Sequence, residues 1–193
     1  MIPVTPQPEP PDFDVKVRQP GRNYILLNPR ASAADLPPLW REMNRTLWET
    51  YNGICSYLAV FFEFATGASS TDHFAPKSKN IQDAYEWSNY RLACLAANRR
   101  KNTHIVLDPF TMQSESFTID FLDGEITPNE TKSLRYQGFC QHTIEILGLN
   151  DPDIKKMRVR HFDDYWNDLV NLEWLQRYSP FVYSEIIRQQ LQK

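Results

Sequence analysis

Side chains that could bind a divalent cation and activate water lie between residues 72 and 101 of the sequence. Asp72 and His73 are adjacent, and Asn98 follows in an alanine-rich stretch. A carboxylate oxygen from Asp72 and an amide oxygen from Asn98 suit Mg²⁺, which needs only one or two protein oxygens together with substrate phosphate. His73, with an ordinary pKa of about 6.5, could accept a proton from water at cellular pH. These residue types predict metal-dependent hydrolysis of a phosphodiester.

Each residue of this set also has an ordinary structural interpretation. A histidine followed by phenylalanine is usually structural, and the order of the surrounding polar residues is what favours a catalytic His73. Asn89 could simply cap a turn, as asparagine readily does. Lys101 could neutralise a phosphate next to the scissile one, or it could belong to a solvated charged face. The presence of all these residues in one ordered segment favours the catalytic interpretation.

The charge distribution allows nucleic-acid binding only at a local site. The 193 residues carry 21 Lys and Arg against 24 Asp and Glu, a net charge of −3, which excludes a uniformly basic coat. Residues 72–104 hold six basic and three acidic residues, so this window is positive while the remainder is acidic. Phosphate attraction requires such a concentration of charge around the site. The candidate nucleic-acid contacts are Lys77, Lys79, Arg91, Arg99 and Arg100.

Composition indicates a cytoplasmic globular protein. Hydrophobic residues make up 41% of the chain, enough for a core. No apolar run approaches the ~20 residues of a membrane helix, and the start, Met1-Ile2-Pro3-Val4, lacks the pattern of a signal peptide. The three cysteines are far apart, which argues against a secreted disulfide scaffold.

The first part of the chain divides at about residue 34. Six of the fourteen prolines fall within the first twenty residues, so we expect residues 1–34 to be extended and to lie outside the core. Helical spacing of Trp40, Met43, Leu47 and Tyr51 predicts a helix over residues 35–53. The β-branched and aromatic run 54–62 favours a strand or a tight strand pair, with a helix as the competing interpretation.

The candidate site residues are expected at a strand end and on a short helix. Pro76 interrupts any helix at residues 71–78, which places Asp72 and His73 at the end of a strand that enters a loop. Residues 91–101 are expected to be a loop that leads into a short helix through the alanines.

The remaining elements are a hairpin and helices. Alternation over residues 117–121, followed by Asp123-Gly124, predicts a β-hairpin. Helices are expected over residues 133–147, with Gly148 as the stop, from 152 into the Trp174 region, and over 179–191. This organisation predicts a main domain of residues 35–175 with helical flanks and a separate C-terminal helix of residues 176–193.

At its polar residues the sequence resembles the HNH endonuclease family. The segments 71–78, 84–90 and 94–101 are similar, in order, to the three parts of the family's ββα-metal motif: Asp-His, then Asn, then Asn and Lys on a short helix. The resemblance extends over roughly residues 35–170 to the HNH effectors of Septu and retron-type anti-phage systems, on four further segments: 48–55, 107–110, 123–128 and 143–150.

The resemblance implies an α+β fold, with a ββα-metal core, a β-hairpin and surrounding N- and C-terminal helices. It implies that His73 is the general base, that Asp72 and Asn98 hold one Mg²⁺ or Mn²⁺, and that Asn89 orients the loop of His73. The implied activity is endonucleolytic cleavage of nucleic acid, DNA ahead of RNA, in anti-phage defence. The implied partner is an ATPase or another subunit of the defence system.

The sequence departs from this family at the zinc clamp. Many relatives carry two Cys-x-x-Cys pairs that bind a structural zinc. Here the pairs would be Cys55 with Leu58 and Cys94 with Ala97, so two thiolates remain where four are needed. We expect no structural zinc and interpret Cys55 and Cys94 as remnants of such a site. The alternative is a catalytically inactive HNH-like subunit that binds nucleic acid or serves as a scaffold.

Overall fold

The computed structural model describes residues 1–193 and combines helices with two small antiparallel sheets, which confirms the α+β class. The chain forms two compact units whose boundaries differ from the predicted domain division. The unit that carries the candidate site, here called the β1–β2 unit, comprises Thr5–Gly53 and Phe62–Ile105. The other, here called the α4–α7 unit, comprises Met1–Val4, Ile54–Phe61 and Val106–Lys193.

The prediction of an extended N-terminal segment outside the core was wrong for residues 14–27, which are helical, and for Phe13 and Val17, which are buried, whereas residues 1–12 form no helix. A π-helical turn at Asp14–Arg18 continues into α1, Gln19–Leu27. Five of the six prolines precede this helix, and Pro20 lies in its first turn, where the missing N–H costs little. The Phe13 ring is fully buried and packs edge-to-face with the rings of Trp87 and Tyr90. The distance between ring centroids is 5.6 Å in both pairs.

The helix predicted over residues 35–53 forms in its second half. A 3₁₀ turn at Leu39–Met43 leads into α2, Asn44–Thr50. Gly53 closes this region with a positive φ of 67°, and its N–H donates to the Trp48 carbonyl at 2.8 Å.

Over residues 54–62 the single continuous strand does not form, and of the tight strand pair predicted as the other possibility one bridge is present. A single antiparallel bridge joins Ile54 to Phe61, and the chain between them turns. Within the turn, the Cys55 and Val60 backbones are hydrogen bonded at 3.0 Å, and Ala59 adopts a positive φ of 50°. Four apolar residues of this run are therefore buried in a compact loop and do not extend along a neighbouring strand: Cys55, Tyr57, Ala59 and Val60.

Two antiparallel strands followed directly by a helix form the centre of the β1–β2 unit. β1, Ser69–His73, pairs with β2, Tyr90–Cys94, in a register that sets Asp72 opposite Arg91 and His73 opposite Tyr90. α3, Leu95–Lys101, begins immediately after β2. The strand end predicted at Asp72 and His73 is confirmed.

The loop expected over residues 91–94 is strand β2 instead. Four consecutive β2 residues are buried, so its sequence lacks the alternation of apolar and polar residues that marks a half-buried strand. The segment between β1 and β2 contains two short 3₁₀ turns, Ile81–Tyr85 and Trp87–Asn89.

The α4–α7 unit follows the predicted order. Its hairpin forms around Gly124, whose φ is +78°, and the first helix ends at Gly148 with a φ of 58°, as predicted. The helix predicted from residue 152 into the Trp174 region is two helices, because the Asn171 side chain caps a new one by accepting from Trp174 N–H. The elements are β3 Phe117–Ile119, β4 Ile126–Pro128, α4 Leu134–Leu147, α5 Pro152–Trp166, α6 Leu172–Tyr178 and α7 Pro180–Arg188. None of the helices has both the length and the apolar character needed to cross a membrane.

Replacement of Phe13 by alanine tests whether the N-terminal segment belongs to the core. We expect Phe13→Ala to lower the free energy of unfolding by about 3–5 kcal/mol, because it removes a fully buried ring from the Trp87 and Tyr90 contacts. Val15→Ala, at a side chain that is 67% exposed, should change it by less than about 0.5 kcal/mol. Urea unfolding measures both, and equal small effects would show that the segment is peripheral.

Candidate active site

One cavity in the β1–β2 unit brings together the three residues predicted to perform the chemistry. Asp72, His73 and Asn98 all line a space of about 650 Å³. The first two come from the end of β1 and the third from α3. Trp40 and Lys77 also line this cavity. The order strand, strand, helix therefore places side chains that are distant in sequence around a common space.

Hydrogen bonding fixes the tautomer of His73. Its Nε2 lies 3.0 Å from the carbonyl oxygen of Ala84. Because a carbonyl oxygen can only accept, Nε2 carries the proton and Nδ1 carries the lone pair. The Tyr90 hydroxyl donates to the same carbonyl at 2.8 Å, which helps to hold the acceptor in place. The ring thus has one nitrogen engaged with the protein and one able to accept a proton.

Aromatic rings restrain the His73 imidazole and bury most of its surface. Trp40 and Tyr90 pack edge-to-face with it, with centroid distances of 4.7 and 5.2 Å, and His73 is only 8% exposed. Burial, followed by the positive charge of Lys77, lowers the pKa of His73 to about 3. The imidazole is therefore neutral at physiological pH, as a proton acceptor must be. A phosphate anion in the cavity would favour imidazolium and raise this pKa.

Asp72 is held by a buried ammonium group. Lys101 Nζ lies 3.1 Å from Asp72 Oδ1 and 3.0 Å from the backbone oxygen of His73. Lys101 is 0% exposed and Asp72 is 3% exposed. The phosphate contact expected of Lys101 does not match this position, because its ammonium is directed into the protein.

Asn98 lines the cavity and carries an amide oxygen that could bind a cation. Its amide nitrogen donates to Ser70 Oγ at 3.1 Å, which leaves Oδ1 as the acceptor of the group. No cluster of three or more His, Cys, Asp or Glu side chains that could hold a metal occurs in the chain. The carboxylate of Asp72 and the amide oxygen of Asn98 fit a hard cation that keeps most of its water, such as Mg²⁺ or Mn²⁺.

Asn89 connects the loop after β1 to the segment that precedes β2. Its Oδ1 accepts from Ala75 N–H at 2.7 Å, and its Nδ2 donates to the carbonyls of Ala75 and Asp83 at 3.1 and 3.0 Å. The Phe74 N–H also donates to the Asn89 carbonyl at 2.9 Å. With these bonds made, Asn89 positions the loop that follows His73 and does not line the cavity.

The predicted basic contacts divide into exposed and buried residues. Arg91 is buried, and its guanidinium donates to the backbone oxygens of Ser88 and Tyr90, so its assignment as a nucleic-acid contact is not supported by its position. Lys77 lines the cavity with its Nζ 3.9 Å from the centroid of the Trp40 ring. Arg99 is exposed at the cavity; Lys79 is exposed and Arg100 is half-buried.

Trp40 is the site residue that the sequence did not reveal. Its spacing with Met43 and Leu47 predicted only a position on a helix. In the structure Trp40 belongs to the 3₁₀ turn, and its ring contacts both His73 and Lys77. The pair Pro37-Pro38 just before it was the available signal, because prolines there favour an irregular entry to the helix.

The two cysteines interpreted as zinc remnants lie in different units. Cys55 is buried in the turn between Ile54 and Phe61, and Cys94 is the half-buried last residue of β2. Neither forms a disulfide bond. Neither residue lines the cavity of His73.

Comparison with known proteins gives one distant likeness. No family model matches the chain. The chain is 25% identical over 175 residues to a protein of Vibrio cholerae serotype O1 biovar El Tor named "Retron Vc95 putative HNH endonuclease". The alignment covers 84% of this chain and 83% of the relative. The likeness thus extends far beyond the polar segment and supports the resemblance to HNH endonucleases seen in the sequence.

Replacement of Asn89 by aspartate tests its positioning role. Asn89→Asp keeps the size and one acceptor, but it sets a carboxylate oxygen against the carbonyls of Ala75 and Asp83. We expect the free energy of unfolding to fall by about 2 kcal/mol or more. Asn52→Asp, at an exposed turn position, is the matched control and should have little effect. Guanidinium unfolding compares the two, and equal stabilities would argue against a structural role for the Asn89 amide.

Proposed function

We propose that the chain is a metal-dependent endonuclease that hydrolyses phosphodiester bonds of nucleic acid. The observation that carries this proposal is the arrangement of His73, Asp72 and Asn98 around one cavity. The relative named as an HNH endonuclease points to the same class of activity. The fold alone would not support the proposed activity, because function depends on the residues of the site.

In the proposed mechanism His73 is the general base. Its Nδ1 takes a proton from water while the water oxygen attacks phosphorus, and the bond from phosphorus to the leaving oxygen breaks. The positive charge formed on the imidazole is stabilised through the Nε2–H bond to the Ala84 carbonyl. The aromatic contacts from Trp40 and Tyr90 keep the ring plane fixed during this transfer.

Asp72 and Asn98 would hold a divalent cation, which when bound would supply charge stabilisation at the scissile phosphate and the leaving oxygen. Both proposed ligands are restrained by hydrogen bonds: Lys101 donates to the Asp72 carboxylate, and the Asn98 amide donates to Ser70. Mg²⁺ and Mn²⁺ both suit these oxygen ligands.

The substrate we propose is nucleic acid, with DNA ahead of RNA on the family resemblance. Lys77 and Arg99 line the cavity and can contact phosphates that flank the scissile one. The acidic remainder of the chain disfavours binding to nucleic acid elsewhere on the surface. Delivery by a partner, an ATPase or another subunit of an anti-phage defence system, would compensate for this weak general attraction.

One observation favours a second candidate, an inactive HNH-like subunit that binds nucleic acid or acts as a scaffold. The buried Lys101 ammonium already balances the charge of Asp72, so the fold does not require a metal there. The metal-binding and cleavage measurements below separate the two candidates, since a scaffold neither cuts nor uses Asp72 to bind an ion.

Replacement of His73 tests the mechanism. We expect His73→Ala to reduce plasmid cleavage in Mg²⁺ or Mn²⁺ by about 10²–10⁴-fold, because the proton acceptor is removed. His104→Ala is the matched control at an exposed histidine outside the cavity, and it should cut like the parent protein. Unchanged cleavage by His73→Ala would remove His73 from the mechanism.

Replacement of the proposed ligands tests the metal site. We expect Asp72→Asn and Asn98→Ala to raise the Mn²⁺ concentration for half-maximal cleavage at least about tenfold, since each loses one of only two protein ligands. Chelation with EDTA should abolish cleavage by the parent protein. Asp163→Asn, at an exposed carboxylate, serves as the control. A parent-like Mn²⁺ requirement in both ligand variants would place the metal elsewhere.

A further inference from the structure

Lys101 is a fully buried cation to which the proposed mechanism gives no part beyond fixing the Asp72 carboxylate. Its ammonium donates to Asp72 Oδ1 and to the His73 carbonyl, and it lies 5.5 Å from the centroid of the Phe74 ring. These contacts tie α3 to the last residues of β1. A cation so placed acts on two groups at once: the carboxylate proposed as a metal ligand and the backbone of the proposed base.

The charge of this ammonium changes what Asp72 can offer to a dication. Asp72 and Lys101 together are formally neutral, and Asn98 adds a dipole but no charge. The other ionic side chains that line the cavity, Lys77 and Arg99, are positive. A divalent ion that enters the cavity alone therefore finds no net negative charge from its lining. A carboxylate has about four lone-pair positions, so the Lys101 bond does not prevent coordination by Asp72.

A bound phosphodiester supplies the missing negative charge. Mg²⁺ is commonly held by one or two carboxylates together with substrate phosphates. In this cavity the phosphate would balance both the dication and the surrounding basic residues. Metal and substrate should then bind with positive coupling, each raising the affinity of the site for the other.

We propose that Lys101 is a positioning residue that makes divalent-ion uptake dependent on the substrate phosphate. In the metal-free protein it holds the Asp72 carboxylate and the end of β1 in place, and it weakens the affinity of Asp72 for the ion. The side chains of the site are thereby positioned before the ion binds, and the ion binds together with nucleic acid. This inference rests on the proposed function, because it takes Asp72 as a metal ligand.

Mn²⁺ binding to the full chain, followed by electron paramagnetic resonance, tests this proposal without reference to turnover. All proteins carry His73→Ala so that an added DNA oligonucleotide remains intact. In this background we expect weak Mn²⁺ binding without DNA and at least about tenfold tighter binding with it. Asp72→Asn with the same oligonucleotide measures the Mn²⁺ bound by DNA itself, which is subtracted.

The decisive variant is Lys101→Met, which removes the charge and keeps an apolar chain of similar length. Without DNA, we expect it to bind Mn²⁺ at least about tenfold more tightly than the protein with Lys101. Its Mn²⁺ affinity should rise less when DNA is added. Its metal-free form should unfold at a lower temperature than the parent, because Asp72 loses a buried partner. Added Mn²⁺ should raise the unfolding temperature of Lys101→Met more than that of the parent. Lys101→Arg keeps the charge and should retain the strong dependence on DNA. Lys156→Met, at an exposed lysine of α5, is the matched control for loss of charge.

The outcomes separate this inference from the proposed function. If Mn²⁺ binding requires Asp72 but Lys101→Met binds no more tightly than the parent, the role of Lys101 is overturned and the metal site stands. If no variant binds Mn²⁺ beyond the Asp72→Asn background, the proposed metal site itself fails. Should Lys101→Met not fold, Lys101→Gln provides the same test, since it keeps hydrogen-bond donors and lacks the charge.

Discussion

The pairing of β1 with β2 is the constraint on which the candidate site depends. Its register sets Asp72 opposite Arg91 and His73 opposite Tyr90, and the chain then enters α3 without an intervening loop. Because α3 starts where β2 ends, its inward face is directed at β1. A shift of one residue in this register would turn both site residues to the opposite faces of the strand pair.

The same pairing explains how His73 acquires its chemical state. Tyr90, its cross-strand partner, contacts the imidazole and donates to the Ala84 carbonyl that also receives the His73 Nε2–H. The buried Phe13 packs in turn against Tyr90, so the N-terminal helical segment contacts the ring that holds the His73 imidazole. The neutral tautomer with its lone pair on Nδ1 is therefore a consequence of packing around β2, and it does not depend on His73 alone.

Local signals in the sequence predicted part of this structure, and long-range contacts determined the rest. The hairpin at Gly124 and the end of α4 at Gly148 follow from backbone conformations that glycine adopts easily, so they could be read from a few neighbouring residues. Strand β2 could not, because burial of consecutive residues removes the alternation that identifies a strand. The inward direction of Lys101 could have been predicted from the sequence. Lys101 lies three residues after Asn98, so both side chains lie on one face of α3. If Asn98 faces the cavity, Lys101 must also face β1. Pro37-Pro38 indicates an irregular start of the helix at Trp40, but no local pattern predicts that its ring contacts His73, which is far away in sequence.

The buried ion pair bears on the choice between an enzyme and an inactive scaffold. Replacement of a buried salt bridge by well-packed apolar residues is often neutral or stabilising, because both charges must otherwise lose their hydration. A subunit that only had to fold could therefore hold β1 against α3 with two apolar side chains. Asp72 and Lys101 instead keep a carboxylate at the wall of a cavity that also contains a neutral imidazole and an amide oxygen. Stability alone does not account for that combination, whereas the binding of a cation together with a phosphate uses every member of it.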